Sequence, residues 1–449
     1  MEKPLVLDAD QLAGVDFLAK RKTALLADHM GYGKTPQAIR AADKIQARTI
    51  IVVTPVSGME HWRREFAKWG IGGRVCPQMR TGVGNFVLPD NQPVALIVPW
   101  SIVADETVLK QITAFTYDLG IFDESQYASN DSAARTCAIY AKGGVAKRCK
   151  RVWCLSGTPM RNHPGELYPM LRVLYPQALL NEKSEVMKTE EYENRFCEVS
   201  EEWIQGRTLR KVKGTKDKAK LLELRQRMQG FVLRRKAKKE ERPPVRFANL
   251  VFLCPKDQEQ QKPLQRDIWK DAAKHTPQAL LDIVNESDMF ATKRRLTGLA
   301  KVPALTEYVK EQLDGGVAKI VLFAHHTEVI DGLRIGLKNY ESVVVDGRTP
   351  SGKPRQDLID TFSGDKGCRI FIGQITAAGT VIDLTAANRL IFAEYTTVPD
   401  DMEQAACRIL RRTQKYPCLI QFATFAGTFD EVLMEIMRRK TETNSHVFA

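Results

Sequence analysis

The chain has 449 residues, 43% of them hydrophobic and 27% charged, with a formal charge of +13. This is a globular composition with room for two or three lobes, and the charge favours a polyanionic partner. No apolar run approaches the roughly 20 residues of a membrane span, so no membrane partner is expected. Met1 to Asp10 also lacks the basic stretch and apolar run of a signal peptide. Nine cysteines occur singly, without Cys-x-x-Cys or a nearby His cluster. That usage fits reduced thiols in a cytoplasm rather than a metal site.

In chain order, Leu25-Leu26-Ala27 forms a short strand leading into Asp28-His29-Met30-Gly31-Tyr32-Gly33-Lys34-Thr35, after which Pro36 opens a helix. Strands are expected at Thr49–Val53, Ala95–Val98, Leu119–Phe122 and Val152–Leu155, with a helix near Glu60–Trp69. From about Leu171 the pattern turns helical and charged until Pro243-Pro244 breaks it. Between Arg207 and Arg242, fifteen Lys or Arg stand against four Asp or Glu. Such a run reads as a solvated face or, at this position, as a segment that grips a polyanion or hinges two lobes. The second half repeats the alternation at Lys319–Phe323, Ser342–Val345, Arg369–Ile372 and Arg389–Phe392. The expected fold is α/β, with parallel-sheet lobes at 1–242 and 243–449, short helical insertions, and ligands at the carboxyl ends of the strands.

Four elements carry chemistry. In the first, Gly31 and Gly33 let backbone N–H groups close on phosphate oxygens at a helix start. Lys34 can reach the β- and γ-phosphates, and Thr35 can hold magnesium. A glycine-rich turn beside a lysine has the same local look, and the strand–loop–helix setting decides against it. In the second, Asp123 at a strand end can orient magnesium while Glu124 polarises the attacking water. Leu155-Ser156-Gly157-Thr158-Pro159 is the third. The fourth is Gln404 to Gln414, where Arg408 and Arg411 lie three apart and share a face if the stretch is helical.

In this order the four elements resemble superfamily 2 helicases of the Swi/Snf type, with two RecA-like lobes, over about Asp10 to Phe425. Ala27 to Thr35 is similar to that family's phosphate loop, including the aspartate at the first glycine position, and Gln11 stands where the family contacts adenine. Thr54-Pro55 with Trp62 and Trp69 resembles motif Ia, which touches the DNA backbone. Leu233-Arg234-Arg235-Lys236 resembles the basic signature before the second lobe, and Gln374 to Gly379, with Thr376, resembles motif V. Phe323-Ala324-His325-His326 and Ile375-Thr376-Ala377-Ala378 are most similar to HARP-type annealing helicases.

The resemblance implies a DNA-dependent ATP hydrolase that remodels duplex, forked or branched DNA. It would use ATP and Mg2+, with Gln404 in the nucleotide site and Arg408 and Arg411 acting on the γ-phosphate. DNA contacts would fall on Thr54, Pro55, Trp62, Thr376, Arg234 and Arg235. The compact size suggests a bacterial cytoplasm or a phage-infected cell. Four positions depart from the pattern: Gln126 where motif II ends in His, Cys407 and Leu410 where motif VI has Asp and His, and Thr397 where a Trp is expected shortly before Pro399. Gln126, Cys407 and Leu410 keep open a DNA-binding scaffold with a weak ATPase, and a strand-separating helicase is a second alternative.

Overall fold

The computed structural model describes residues 6–70, 73–79, 87–88, 92–204, 207–235, 243–252, 290–350, 352–378, 382–396, 398–411, 413–426, 430–431 and 433–434. The chain divides between Lys236 and Ala237 into two compact units.

The first unit is built on strands β1 (Thr23–Leu26), β2 (Thr49–Thr54), β3 (Val94–Pro99), β4 (Leu119–Asp123), β5 (Val152–Leu155) and β8 (Val232–Leu233). They form one sheet in the order β3-β2-β4-β5-β1-β8, with every pairing parallel. Parallel strands covered on both faces read as unbroken apolar runs rather than alternating ones. Here Leu25, Ile51, Val53, Leu96 and Phe122 feed one core, while Ala24, Leu26, Ile50, Ile97 and Trp153 feed the other. The register aligns Leu26 with Leu155 and Asp123 with the same Leu155. The loops leaving β1, β4 and β5 therefore emerge side by side, where ligands of such sheets bind.

The second unit repeats the architecture. Strands β9 (Val245–Phe252), β10 (Ile320–Ala324), β11 (Ser342–Val345), β12 (Ile370–Gln374), β13 (Arg389–Phe392) and β14 (Cys418–Phe425) pair in parallel in the order β11-β12-β10-β13-β14-β9. Val321, Phe323, Phe371 and Leu390 pack on one face, and Ile320, Leu322, Ile372 and Ile391 on the other.

Two features differ from the sequence reading. The stretch expected to be helical contains an antiparallel hairpin, β6 (Cys197–Ile204) with β7 (Arg207–Thr215). The described part of the basic segment then continues as helix Lys218–Arg227 and strand β8 of the first sheet. Much of its charge is paired within the unit: Arg210 with Glu193, and both Lys220 and Arg227 with Glu223. Among the described residues, no helix is long and apolar enough to cross a membrane.

Candidate nucleotide site

Helix Lys34–Lys44 starts at Gly33, whose φ of 72° is left-handed and whose helix end receives no side-chain cap. Gly31 is left-handed too, at φ 79°. Only glycine adopts these angles without strain, so the backbone can curl and leave an electropositive helix end facing the loop. A Cβ on Gly33 would also stand 2.6 Å from the Gln11 amide nitrogen. Gln11 arches over the loop: its Nε2 donates to the Tyr32 carbonyl at 3.3 Å, and its Oε1 accepts from the Asp8 amide. The Lys34 ammonium rests on the Asp28 carbonyl at 2.8 Å. Gly157, from the loop after β5, leaves room there; a Cβ would lie 2.6 Å from Met30 and 3.5 Å from Lys34 Nζ.

Asp28 occupies the position where general phosphate loops have glycine, and it is fully buried. A buried carboxylate requires compensation. It comes from Arg235, which follows β8: its backbone N–H and Nε both donate to Asp28 Oδ1 at 3.0 Å, and Nη2 pairs with Oδ2. The Arg235 carbonyl in turn accepts from the His29 amide at 3.1 Å.

Asp123 ends β4, with its carboxylate held from behind. Oδ2 accepts from Trp62 Nε1 at 2.8 Å and from Thr54 Oγ1 at 3.0 Å, while Oδ1 accepts from the Glu124 amide. Trp100, just past β3, donates its indole N–H to the Asp123 carbonyl at 2.8 Å. Burial pushes the Asp123 carboxyl up to about 6, and the adjacent Glu124 charge adds to the rise; Trp62 and Thr54 oppose it. Glu124 sits at φ 50°, ψ 52°, a left-handed conformation costly for a side chain with a Cβ. Its carboxylate accepts from Gln126 Nε2 at 2.7 Å. Gln126 Oε1 then accepts from Ser156 Oγ at 2.6 Å, and Ser156 Oγ from the Thr158 amide at 3.0 Å. One relay thus joins the loops after β4 and β5.

In the second unit, helix Pro399–Ala406 ends before both arginines of interest. Gln404 is buried within it, and Arg408 and Arg411 follow on a turn rather than sharing a helix face as expected. The turn arises because the Arg408 and Ile409 amides bond to Ala405 and Ala406, three residues back. Arg408 is buried and its carbonyl accepts from the Leu384 amide. Arg411 donates to the Ile382 carbonyl at 2.6 Å and lies 3.7 Å from Asp383. Elsewhere in this unit, Glu394 bridges the ends of β10 and β13: the His325 and His326 amides each donate to it at 2.8 Å, and the His326 ring lies at 2.6 Å. Burial alone would raise this carboxyl, yet those hydrogen bonds hold it below the usual range. His325 is lowered to about 4 by burial, with Arg294 contributing.

Residues 10–301, well over half the chain, match the family model of the SNF2-related domain. The chain belongs to the SNF2-related family. Residues 300–413 of this SNF2-related chain match the helicase conserved C-terminal domain. It is 28% identical over 442 residues to a Xenopus tropicalis SWI/SNF-related matrix-associated actin-dependent regulator of chromatin subfamily A-like protein 1, covering 96% of this chain and 44% of that one. It is 25% identical to the Mus musculus DNA annealing helicase and endonuclease ZRANB3, covering 96% and 40%. The chain therefore spans less than half the length of these two relatives. A solved Sulfolobus solfataricus SWI2/SNF2 ATPase core in complex with dsDNA aligns over 99% of this chain and 94% of its own, at 20% identity and a TM-score of 0.44.

Of the residues expected on DNA, the structure moves several inward. Trp62 and Thr54 are wholly buried behind Asp123, and Pro55 is buried beside them. The Trp62 indole N–H and the Thr54 hydroxyl are both spent on the Asp123 carboxylate. Arg235 is spent on Asp28. Arg234 is half-buried, and Thr376 is exposed on the turn Ile375–Ala378 after β12. Lys236 and Gly379 lie outside the described residues. Sequence reasoning missed Trp100 and the bridging role of Gln126. The first signal was a tryptophan directly after a buried strand; the second was a departure from the family pattern that is itself a hydrogen-bonding amide.

Proposed function

We propose that this chain is a DNA-dependent ATP hydrolase that translocates on DNA and remodels duplex or branched DNA, by branch migration, fork regression or strand annealing. The observation that carries the reading is the set of strand ends in the first unit. The ends of β1, β4 and β5 bring an uncapped helix start with Lys34, the carboxylates Asp123 and Glu124, and the Ser156 relay to one side of a parallel sheet. The uncapped helix end beside Lys34 suits a triphosphate.

In this reading Gln11 and Gln404 serve the nucleotide site, and the amides around Gly31 and Gly33 bind phosphate oxygens. Lys34 exchanges the Asp28 carbonyl for the β- and γ-phosphates. Thr35 and Asp123 would hold Mg2+, which when bound offsets charge on the phosphate oxygens. Glu124, oriented by Gln126, polarises the attacking water, and Arg408 and Arg411 are the second unit's candidates for stabilising the γ-phosphate as its charge redistributes. DNA is held mainly through its phosphates, so binding is largely sequence-independent and falls steeply with salt.

The test is phosphate release with and without duplex DNA. We expect stimulation by DNA in the parent chain, and no turnover but retained DNA binding in Lys34→Ala. Equal release in both proteins would refute the reading; DNA binding without release in either would favour a scaffold. A forked duplex with a trap strand, beside a four-way junction, separates strand displacement from branch migration.

A further inference from the structure

The Arg235 side chain meets four residues in three segments of the first unit: helix Ala9–Ala19, the phosphate loop and the helix that follows it. Its guanidinium pairs with Asp28 in the phosphate loop, donates to the Asp10 carbonyl, and reaches Gln37 Oε1 at 2.8 Å. It lies over the Tyr32 ring at 5.5 Å. Gln37 extends the network into the loop, donating to the Tyr32 carbonyl at 3.1 Å and to Asp28 Oδ2 at 3.4 Å. Gly14, in helix Ala9–Ala19, leaves the space this requires. A Cβ there would fall 1.8 Å from Gln37 Oε1 and 2.7 Å from Arg235 Nη2.

We propose that Arg235 is a positioning residue for nucleotide: by clamping Asp28 it fixes the curvature of the phosphate loop, and it acts on ATP rather than on DNA. The proposal rests on the loop being the nucleotide site. Three observations support it. Asp28 is fully buried and the Arg235 side chain is only 17% exposed, so the guanidinium is not displayed to a backbone of phosphates. The same Asp28 whose carboxylate is clamped offers its carbonyl to Lys34. A planar fork meeting both carboxylate oxygens fixes orientation as well as distance, which a lysine cannot do. Arg235 is also the next-to-last residue of the Met1–Lys236 stretch of the first unit, fastened there to the loop.

The experiment compares the full chain with Arg235→Ala, Arg235→Lys and Gly14→Ala by titration with ADP and with a fluorescent ATP analogue, alongside nucleotide-free binding to duplex DNA. Arg235→Ala is expected to raise the nucleotide Kd at least tenfold and to raise KM for ATP more than it lowers kcat. Arg235→Lys should raise the Kd by several-fold. Gly14→Ala, which keeps every charge and favours helix, should do the same by displacing Gln37 and Arg235. DNA affinity should stay within twofold of the parent in all three. A nucleotide Kd within twofold of the parent in both Arg235→Lys and Gly14→Ala overturns the proposal, and these two remain decisive if Arg235→Ala does not fold. Loss of DNA affinity with unchanged nucleotide affinity overturns it too, and restores Arg235 to the DNA surface. Failure of the nucleotide reading itself would show separately, as unaltered turnover in Lys34→Ala.

Discussion

Replacing Trp62 by phenylalanine should move the acid limb of ATP hydrolysis to higher pH. Asp123 must be ionised to hold a metal, yet burial has raised its carboxyl to about 6. Trp62 Nε1, at 2.8 Å, is the shorter of two side-chain hydrogen bonds to Oδ2, and both favour the carboxylate. A hydrogen bond to a charged group contributes about 1.5–3 kcal/mol, and one pKa unit corresponds to about 1.4 kcal/mol. Losing this donor should therefore lift the carboxyl by about 1–2 units. The assay is kcat/KM for ATP at saturating magnesium and DNA, from pH 5 to 9, because kcat/KM reports the ionisation of the free enzyme. The parent should lose activity as pH falls through about 6, and Trp62→Phe about 1–2 units earlier.

The stability consequence has the opposite sense. A carboxyl raised in the folded state stabilises fully in acid, below its unfolded pKa, and loses that contribution as pH rises through about 6. Folded, nucleotide-free Trp62→Phe should accordingly lose more stability than the parent between pH 5 and 8. An acid limb at the same pH in both proteins, with the variant shown to be folded, refutes the argument.

Other outcomes follow from the remaining contacts. Arg411→Ala should bind ATP nearly as the parent does and fail to hydrolyse it; unchanged phosphate release would remove Arg411 from the reaction. Gln126→Glu places a second carboxylate where an amide now donates to Glu124 at 2.7 Å. It should lower kcat by at least tenfold, about 1.4 kcal/mol, with little change in KM, and equal kcat would show that the relay through Ser156 is idle.

How much of this was legible in sequence depended on burial. Strands β5 and β13 end where the apolar runs end, because each is enclosed on both faces. Strand β9 alternates and is largely exposed, so Pro243-Pro244 read as a break rather than as its threshold. The hairpin β6–β7 carries charges along both strands and has a register irregularity at Glu198/Val199, leaving no period to detect. The placement of Lys34 at a helix start and of Asp123 and Glu124 at a strand end was legible because strand–loop patterns are local. The Asp28–Arg235 pair spans 207 residues, and nothing within either stretch announces the other. The burial of Trp62, expected on DNA, was not legible because a tryptophan in the helix after a strand end serves equally well as a surface contact or as a buttress.

The pairing of distant strands also bears on how each unit is made. Strand β1 pairs with β8, Leu25 opposite Val232, and β9 pairs with β14, Val245 opposite Cys418. Each sheet is thus completed by strands from nearly opposite ends of its own stretch of chain. Parallel pairings at such separations slow folding, because loop closure is paid before the contacts form. During synthesis β1 stays an open edge on one side until β8 has been made, and the loop it carries is among the last parts of the first unit to settle. Shortened versions intended to bind nucleotide should therefore extend through Arg235, and ones ending after β5 should expose the β1 edge and aggregate.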